Sequence, residues 1–415
     1  MKLGVIDYQL PRGGVERFIL NVLNSLPDDI DITIFTADNA LDGYQSLIAQ
    51  ATRYIRLVNR PITKHHVALV ADGQAALCPQ HVSDIPAELY KDIDIAWLPW
   101  ANRSLLPREC YIRTVATVHD VIAVELGDLM AEKRDLAGRV SAYYCMGMED
   151  MLVRRLSGSL AKVVVDAKRT ADHLSRVYGP LPRTPEVIYL AAEHMGGFTA
   201  EPIDGLGLPP RYLVYPASHH AHKNHEGLFL ALAKVKAERP DMFLPLVLTG
   251  WQTEQIGDGS TYRGAYLKAV LDHLKLEVGK DVLLPGKVSD GQFRAVLEAS
   301  SGVVFPTLQE GFGFPPVEAA YFGVPLAVSD IEIMKESLAR FDIPALWFRP
   351  DSPEEMAAAM IRLAAEETEL RARAKNGLVD LKGDSWAEVG RRYQAAFREQ
   401  MNVANMFQQY GGPAG

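Results

Sequence analysis

The sequence predicts an α/β protein with two domains, each built on a parallel sheet with helices on both faces. Short β-branched runs alternate with helical patterns along the chain, which is the signal of βαβ units. The apolar runs are nearly continuous, as strands covered on both faces require. The alternation is interrupted once, and 415 residues exceed what a single core usually serves. These observations predict two domains of the same class.

The first series of elements occupies residues 1–195. The predicted strands are residues 3–6, 32–35, 96–99, 115–118 and 162–166. Between the first two strands, apolar side chains recur at helical spacing at Phe18, Ile19, Val22, Leu23 and Leu26. We therefore expect an N-terminal domain over residues 1–195.

The second series begins near residue 210, after a Gly- and Pro-rich stretch, residues 193–210, that predicts an interdomain linker. The predicted strands are residues 212–215, 244–249, 282–284, 303–306 and 326–328. The second domain is therefore expected over residues 205–384. Past Ser385, one helical stripe is formed by Trp386, Val389, Tyr393 and Phe397.

Composition excludes several classes of protein. The formal net charge of -9 argues against nucleic-acid binding. Cys78, Cys110 and Cys145 are widely spaced and form no metal-ligand pattern, which suits a reducing cytosol. No stretch approaches ~20 consecutive apolar residues, and the N-terminus lacks a signal-peptide run. We expect a cytoplasmic protein whose membrane contact, if any, is peripheral and at the inner face.

A glycine pair lies between the first strand and the first helix, in Pro11-Arg12-Gly13-Gly14. Glycines let the backbone approach a ligand closely, and a helix N-terminus offers free N–H groups to phosphate. The alternative is a tight strand-to-helix turn. The lack of GxGxxG disfavours an NAD site.

The strongest local signal is residues 305–320, where an apolar strand leads into a Gly-rich turn and a helix that starts with prolines. Glu310 lies in the turn and Glu318 early in the helix. Carboxylates there can accept hydrogen bonds from sugar hydroxyls, and the N–H groups of residues 311–313 can meet a diphosphate. The alternatives are a solvated turn residue at Glu310 and a helix-dipole contact at Glu318.

The segment EGFGFPPVE, Glu310 to Glu318, resembles the E-x7-E signature of retaining glycosyltransferases of the GT-B fold, in particular the GT4 family, glycosyl transferases group 1. The resemblance implies two Rossmann-like domains whose parallel sheets face a central cleft. It implies that the helix over residues 385–410 crosses back to the N-terminal domain. It also implies metal-independent transfer with retention of configuration, Glu310 meeting the donor sugar and Glu318 the ribose.

Lys223-Asn224 looks like the family's Lys-Asn pair, which implies that Lys223 offsets diphosphate charge. The family's upstream Arg is missing, and Ser218, His219 or His220 stands near its place. A partly protonated histidine is a candidate substitute.

Four histidines in this stretch also raise a zinc alternative, but no carboxylate or Cys lies among them within residues 219–225, and we expect no metal: His219, His220, His222 and His225.

His119-Asp120 follows a predicted strand and resembles the family's histidine that faces the donor sugar. The alternative is a buried structural histidine held by a carbonyl. Gly286-Lys287-Val288 resembles the loop that meets the nucleobase. By resemblance the catalytic residues are His119, Lys223 and Glu310. The expected donor-binding residues are Gly13, Gly14, Ser218, His219, Lys223, Asn224, Gly250, Lys287, Val288, Gly311, Phe312, Gly313 and Glu318.

The resemblance implies transfer of a hexose from a nucleotide-diphosphate sugar to a saccharide or lipid-linked acceptor in polysaccharide assembly, without a cofactor. GDP-mannose is favoured over UDP-sugars because the sequence His222-Lys223-Asn224-His225 looks like that of bacterial mannosyltransferases of polysaccharide assembly. The alternatives are a nucleotide-sugar epimerase or phosphorylase of the same fold and a non-catalytic sugar-nucleotide-binding protein. Two basic stretches suggest an anionic lipid-linked acceptor or lipid headgroups, with solvated surface as the alternative: Arg53, Arg56, Arg60 and Lys64, and Arg103, Arg108 and Arg113.

Overall fold

The computed structural model describes residues 1–7, 14–59, 63–64, 68–71, 74–77, 83–84, 87–101, 104–130, 147, 150–376 and 385–410. The chain divides into two compact units. Unit 1 contains Met1–Asp128, Asp135–Leu190 and Ser385–Gly415, and unit 2 contains Leu129–Arg134 and Ala191–Asp384. The sequence places the change of domain at residues 195–205, and in the structure the chain leaves unit 1 after Leu190.

Unit 1 contains one large parallel sheet and smaller pairings. Its described strands are β1 (Lys2–Ile6), β2 (Asp31–Thr36), β3 (Arg56–Asn59), β4 (Thr63–Lys64), β5 (Ala68–Ala71), β6 (Gln74–Leu77), β7 (Ser83–Asp84), β8 (Ile95–Leu98), β9 (Ser104–Leu105), β10 (Thr114–Val118), β11 (Lys162–Val165) and β12 (Glu186–Val187). The large sheet has the order β12-β11-β10-β8-β1-β2-β3, while β7 pairs with β4 and with β9, and β5 pairs with β6. The five strands predicted for this half are confirmed as β1, β2, β8, β10 and β11.

The described α-helices of unit 1 are Gly14–Ser25, Leu41–Ala49, Ile122–Leu126, Lys168–Tyr178 and Trp386–Tyr410. Its described 3-10 helices are Asp38–Ala40, Ala87–Lys91 and Arg108–Arg113, and a further one, Gly127–Met130, runs from unit 1 into the Leu129–Arg134 stretch of unit 2. The apolar positions predicted for the first helix are confirmed as buried, although Leu26 follows the end of the helix. The Phe18 ring lies 5.7 Å from the Trp97 ring on β8, centre to centre.

The C-terminal helix, Trp386–Tyr410, belongs to unit 1. Its predicted stripe is confirmed, since all four side chains are buried. Tyr393 Oη lies 3.1 Å from Thr117 Oγ1 on β10, and Thr117 Oγ1 also accepts a hydrogen bond from Trp97 Nε1 on β8 at 3.0 Å. This helix therefore completes the core of unit 1 from the far end of the sequence.

Unit 2 is built on a single parallel sheet. Its strands are β13 (Leu213–Pro216), β14 (Leu246–Thr249), β15 (Val282–Gly286), β16 (Gly302–Phe305), β17 (Leu326–Ser329) and β18 (Leu346–Phe348), in the order β15-β14-β13-β16-β17-β18. Its described α-helices are His225–Glu238, Gln255–Asp258, Tyr262–His273, Asp290–Ala299, Phe314–Tyr321, Glu332–Ala339, Pro353–Ala365 and Glu367–Asn376. Its described 3-10 helices are Glu193–Gly197, Asp204–Leu206, Ala221–Lys223 and Pro240–Met242. The five strands predicted for this half are confirmed as β13 to β17.

The strand order of each sheet reverses at one place. In unit 1 the reversal lies between β1 and β8, and in unit 2 between β13 and β16. Loops that leave the carboxyl ends of two such strands run in opposite directions and open a crevice, where ligands of doubly wound sheets bind. In unit 2 these loops are residues 217–224 and 306–313. None of the helices in the described part of the chain combines the length and apolar character needed to cross a membrane.

Candidate functional site

The two loops at the reversal point of unit 2 are bonded to each other. The carbonyl oxygen of His222 accepts hydrogen bonds from Leu308 N at 2.8 Å and from Thr307 Oγ1 at 3.2 Å. Because these bonds join backbone to backbone and backbone to a buried hydroxyl, they set the relative position of the loops. Side chains that project from either loop are therefore held at the same edge of the sheet.

Lys223 and Glu310 form the charged centre of this edge. Lys223 Nζ lies 2.6 Å from Glu310 Oε1, and the two side chains are only 15% and 10% exposed. The ammonium also lies 5.7 Å from the centre of the Phe305 ring. Removing one partner of such a pair leaves an uncompensated buried charge, so each keeps the other in place. The pair brings a cation and a carboxylate to the point where the fold opens a crevice.

Asn224 fixes Lys223 from the next position. Its φ of 55° lies in the left-handed region, which asparagine tolerates, and its side chain caps the helix His225–Glu238. Asn224 Oδ1 accepts from Gly227 N at 3.3 Å, while Nδ2 donates to the carbonyls of Pro306 at 3.1 Å and Pro350 at 2.8 Å. The Asn224 amide, which the resemblance assigns to donor binding, is thus hydrogen-bonded within the protein.

The Gly-rich turn after Glu310 has a conformation that only glycine fits. Gly313 has a φ of 83° and is the N-cap of the helix Phe314–Tyr321, whose first turn contains prolines. A β-carbon on Gly313 would overlap the terminal methyl of Met334. Phe312 is buried, and its carbonyl accepts a hydrogen bond from Ser337 Oγ at 2.6 Å. The turn therefore packs tightly on unit 2 and presents its backbone, together with Gly311, beside Glu310.

Glu318 is completely buried in the middle of the same helix. Its Oε1 lies 3.2 Å from His194 Nε2, and these side chains are 1% and 5% exposed. The helix-dipole alternative does not account for a carboxylate directed at a histidine from another segment. The carboxylate is held inside unit 2 by a specific partner.

The histidines of the 217–225 loop cluster around a buried arginine. Arg263 donates to both carboxylate oxygens of Glu226, at 2.6 and 2.7 Å, and through Nε to the carbonyl of His219 at 3.1 Å. His219 Nε2 lies 3.3 Å from Thr261 Oγ1. The guanidinium is thus held by Glu226 and by the carbonyl of His219, and it supports the loop.

Three of these histidines are uncharged at neutral pH. Burial, and then the charge of Arg263, lowers the pKa of His219 to about 4. Burial, and then neighbouring positive groups, also holds the pKa of His222 and His225 well below the ordinary value. The suggestion that a partly protonated histidine replaces the missing arginine does not hold for these three. Within the described ranges, no group of three or more His, Cys, Asp or Glu side chains is arranged to hold a metal ion.

The neighbouring strand ends supply glycines that bring backbone close to backbone. Gly250, after β14, has a φ of 143°, and a β-carbon there would lie 2.7 Å from the carbonyl oxygen of Ala217. Its N–H donates to the carbonyl of Gly286 at 3.0 Å. Beyond Gly286, Lys287 is exposed and Val288 half-buried. Ser218 lies in the half-buried part of the first loop, so the unit 2 residues of the predicted donor site all follow carboxyl ends of parallel strands.

His119 lies at the corresponding edge of unit 1. Its Nδ1 is 2.9 Å from Asp166 Oδ2 and its Nε2 is 2.8 Å from the carbonyl oxygen of Pro99. Burial lowers the pKa of His119, but Asp166, Asp120 and the carbonyl of Pro99 raise it more, and the net shift is upward. Both ring nitrogens are used within unit 1, as the structural alternative expects, and contact with a donor sugar stays a prediction. Gly14 begins the first helix, while Gly13 lies outside the described residues.

The basic stretches of unit 1 are partly structural. Arg53 donates to the carbonyls of Leu26, Pro27 and Ile30. Likewise, Arg113 donates to three backbone carbonyls between residues 90 and 94. These two guanidiniums tie loops to the sheet and add little to a basic docking surface. Arg60 and Arg103 lie outside the described residues, as does the side chain of Lys64.

Sequence reasoning missed two residues that shape the site. Arg263 lies 44 residues after His219, and His194 lies 124 residues before Glu318. Neither belongs to a local motif, since only the folded sheet brings them to their partners.

Comparison with known proteins shows that a family model covers the residues of this site. The family model "Glycosyl transferases group 1" matches residues 202–377, which include Lys223, Glu310 and Glu318. The O-antigen chain mannosyltransferase RfbU of Salmonella typhimurium is 32% identical over 85 residues, 20% of this chain and 23% of that protein. The serotype-specific mannosyltransferase WbdA of Escherichia coli is 25% identical over 238 residues, 56% of this chain and 27% of that protein. The chain thus spans about a quarter of the length of these relatives.

A solved structure shares the fold over nearly the whole chain. HepE of Anabaena, in complex with UDP and glucose, superposes with a TM-score of 0.69 at 15% identity and covers 96% of this chain and 100% of HepE. The fold that the E-x7-E resemblance implies is therefore confirmed, since the two α/β units of the chain have the fold of the GT-B glycosyltransferases. The family model matches residues 202–377, less than half of the chain, and agrees with the family that the resemblance names.

Proposed function

We propose that the chain is a retaining, metal-independent glycosyltransferase of the GT4 type, which transfers a hexose from a nucleotide-diphosphate sugar to a saccharide or lipid-linked acceptor. The observation that carries this proposal is the buried Lys223–Glu310 pair at the reversal point of unit 2. Negative charge builds on the diphosphate as the glycosidic bond breaks, and a fixed ammonium stabilises it. A carboxylate beside that ammonium can accept hydrogen bonds from the hydroxyls of the transferred sugar.

GDP-mannose is the proposed donor, with UDP-sugars as the competing class. RfbU and WbdA, both named as mannosyltransferases, support mannose. HepE, which was crystallised with UDP and glucose, supports the competing class. The two donors differ in base and sugar, so a direct comparison of turnover separates them.

The proposed location is the cytoplasm. Contact with the inner face of the membrane is proposed only for the case in which the acceptor is lipid-linked. Arg53 and Arg113 do not support a basic docking surface, because backbone carbonyls occupy their guanidiniums. Co-sedimentation with anionic vesicles at low and high salt tests this part separately.

Substitution of the charged pair tests the central claim. Lys223→Ala and Glu310→Ala are each expected to lower kcat/KM by about 10²- to 10³-fold, the usual effect of losing a group that stabilises developing charge. Transfer from GDP-mannose and UDP-glucose is followed by mass spectrometry of the acceptor. Lys234→Ala is the matched control, because Lys234 forms an exposed pair with Glu238 in the same unit and is expected to leave transfer unchanged.

Other outcomes would point to other functions. Transfer that stops on addition of EDTA would contradict a metal-independent reaction, and an inverted product anomer, seen by NMR, would contradict retention. Conversion of the donor without an acceptor would indicate an epimerase. Tight donor binding without turnover would indicate a non-catalytic sugar-nucleotide-binding protein.

A further inference from the structure

His194 lies in a short segment that enters unit 2 directly after the chain leaves unit 1. The segment contains the 3-10 helix Glu193–Gly197 and follows Leu190, the last residue of unit 1 before this point. His194 Nε2 reaches Glu318 Oε1 at 3.2 Å, and both side chains are almost fully buried. The contact joins the carboxylate of the E-x7-E segment to a residue outside that segment.

Several contacts fix the ring of His194 where it is. Its ring centre lies 6.0 Å from that of Phe198 and 6.1 Å from that of Phe314, with near-perpendicular planes in both cases. Arg294 donates to the carbonyl of Phe198 at 2.6 Å. Gly196 packs so closely on the helix Phe314–Tyr321 that a β-carbon on Gly196 would overlap the Tyr321 hydroxyl. The segment is thus tied to unit 2 at the histidine itself and at the residues that follow it.

A carboxylate on a helix can rotate about its side-chain bonds unless a partner holds it. A donor N–H directed at one oxygen fixes the plane of the group and therefore the direction in which it accepts further hydrogen bonds. Supporting contacts of this kind are what give functional groups a defined geometry. The His194–Glu318 contact has the burial and distance such a support needs.

We propose that His194 is a positioning residue that orients the Glu318 carboxylate for the ribose hydroxyls of the donor nucleotide. The inference rests on the proposed function and extends it with a residue outside the motif. His194 acts through Glu318 and makes no contact with the reacting sugar. Its effect is therefore on the affinity for the ribose and not on the bond-breaking step.

Calorimetric titration with nucleoside diphosphates isolates this effect. GDP and UDP are compared with their 2′,3′-dideoxy analogues, which lack the hydroxyls that Glu318 would bind. His194→Ala is expected to weaken binding of the ribonucleotide by about tenfold, the effect of one hydrogen bond to a charged group. Binding of the dideoxy analogue should stay unchanged, and KM for the donor should rise while kcat is retained.

Matched variants separate positioning from folding. His194→Gln keeps an N–H donor at similar reach and should restore most of the affinity, and His273→Ala, at an exposed histidine of the same unit, should change nothing. In a Glu318→Gln background, His194→Ala should have little further effect, because the group it orients is gone.

Four results would overturn the inference. An equal loss of affinity for ribonucleotide and dideoxy analogue would mean that His194 only supports the fold, and no loss for either would mean that Glu318 needs no support. If the wild-type protein binds a ribonucleotide and its dideoxy analogue with equal affinity, this inference fails while the proposed function stands. If it binds neither GDP nor UDP, the proposed function fails and takes this inference with it.

Discussion

The pKa of His119 is raised above the ordinary histidine value, whereas the pKa values of three histidines in unit 2 are lowered, because their surroundings differ. His119 is buried between a carboxylate and a carbonyl, so its protonated form gains two acceptors and its pKa is raised. His225 is also buried, but neither ring nitrogen has a hydrogen-bond partner among the described residues, and its pKa is well below the ordinary value. The pKa values of His219 and His222 are lowered as well.

The three histidines with lowered pKa values, His219, His222 and His225, make the stability of unit 2 sensitive to acid. Between pH 6.5 and about 4, the unfolded chain binds protons at histidines that stay neutral in the fold, so the free energy of unfolding falls as the pH falls. Each such histidine contributes up to about 1.4 kcal/mol per pH unit. The raised His119 acts in the opposite sense, since its stabilisation is complete below pH 6.5 and is lost as the pH rises through its folded pKa.

His225→Leu tests this account. The substitution removes an unpartnered buried polar ring beside Tyr215 and Phe229, so stability at pH 7.5 should be equal or higher. The fall in stability between pH 7 and pH 5 should become shallower by up to about 1.4 kcal/mol per pH unit. Urea unfolding at several pH values measures both, with His273→Leu as the exposed control. An unchanged acid slope would show that His225 does not titrate as described.

Sequence could predict the types of residue in the site better than their contacts. The E-x7-E segment and Lys223 were identified, but a pair separated by 87 residues leaves no local pattern, and neither does the His194–Glu318 contact. Asn224 illustrates the limit. The same side chain suits a ligand contact or a helix N-cap, and the left-handed backbone at this position, visible only in the fold, directs it to the cap.

At the scale of elements, the central strands of the two large sheets could all be predicted, but of their four edge strands only β15 could. All ten predicted strands exist, because strands covered on both faces are continuous apolar runs. The missed strands of the two large sheets, β3, β12 and β18, lie at sheet edges. Edge strands are short or partly exposed: β12 has two residues, and Trp347 in the middle of β18 is 41% exposed. Pairing with a neighbour, and not the pattern of the segment itself, decides such strands.

The turn that opens the helix Phe314–Tyr321 depends on one glycine. Gly313→Ala would place a β-carbon at a φ of 83° and into the Met334 methyl, so we expect a loss of about 2–4 kcal/mol from backbone strain and overpacking together. Gly279→Ala is the matched control, since Gly279 has a φ of 85° but open space around a β-carbon. The control should cost only the strain, about 1–2 kcal/mol.

Urea unfolding of both variants, with nucleotide titration of the folded forms, checks this prediction. Gly313→Ala should also weaken nucleotide binding, because the helix start carries the turn beside Glu310, and Gly279→Ala should not. Equal costs for the two variants would show that the Met334 contact relaxes freely.

At the scale of the whole molecule, the two units are separate cores that share one chain. Unit 1 takes its C-terminal helix from the end of the sequence, while unit 2 is nearly continuous. Within unit 1, Phe397 lies 6.0 Å from Trp97 and 5.9 Å from Tyr393, ring centre to ring centre. The last helix therefore stabilises strands that were synthesised some three hundred residues earlier.

Phe397→Ala should reveal this division. Truncating a fully buried aromatic side chain costs about 3–5 kcal/mol, and here the lost contacts all lie in unit 1. Hydrogen exchange followed by mass spectrometry should show faster exchange in β8, β10 and the C-terminal helix, while β13 and β14 keep their protection. Phe397→Leu, which retains most of the volume, should have a much smaller effect. Equal loss of protection in both units would mean that they unfold as one cooperative body, and that the C-terminal helix stabilises more than the core it packs in.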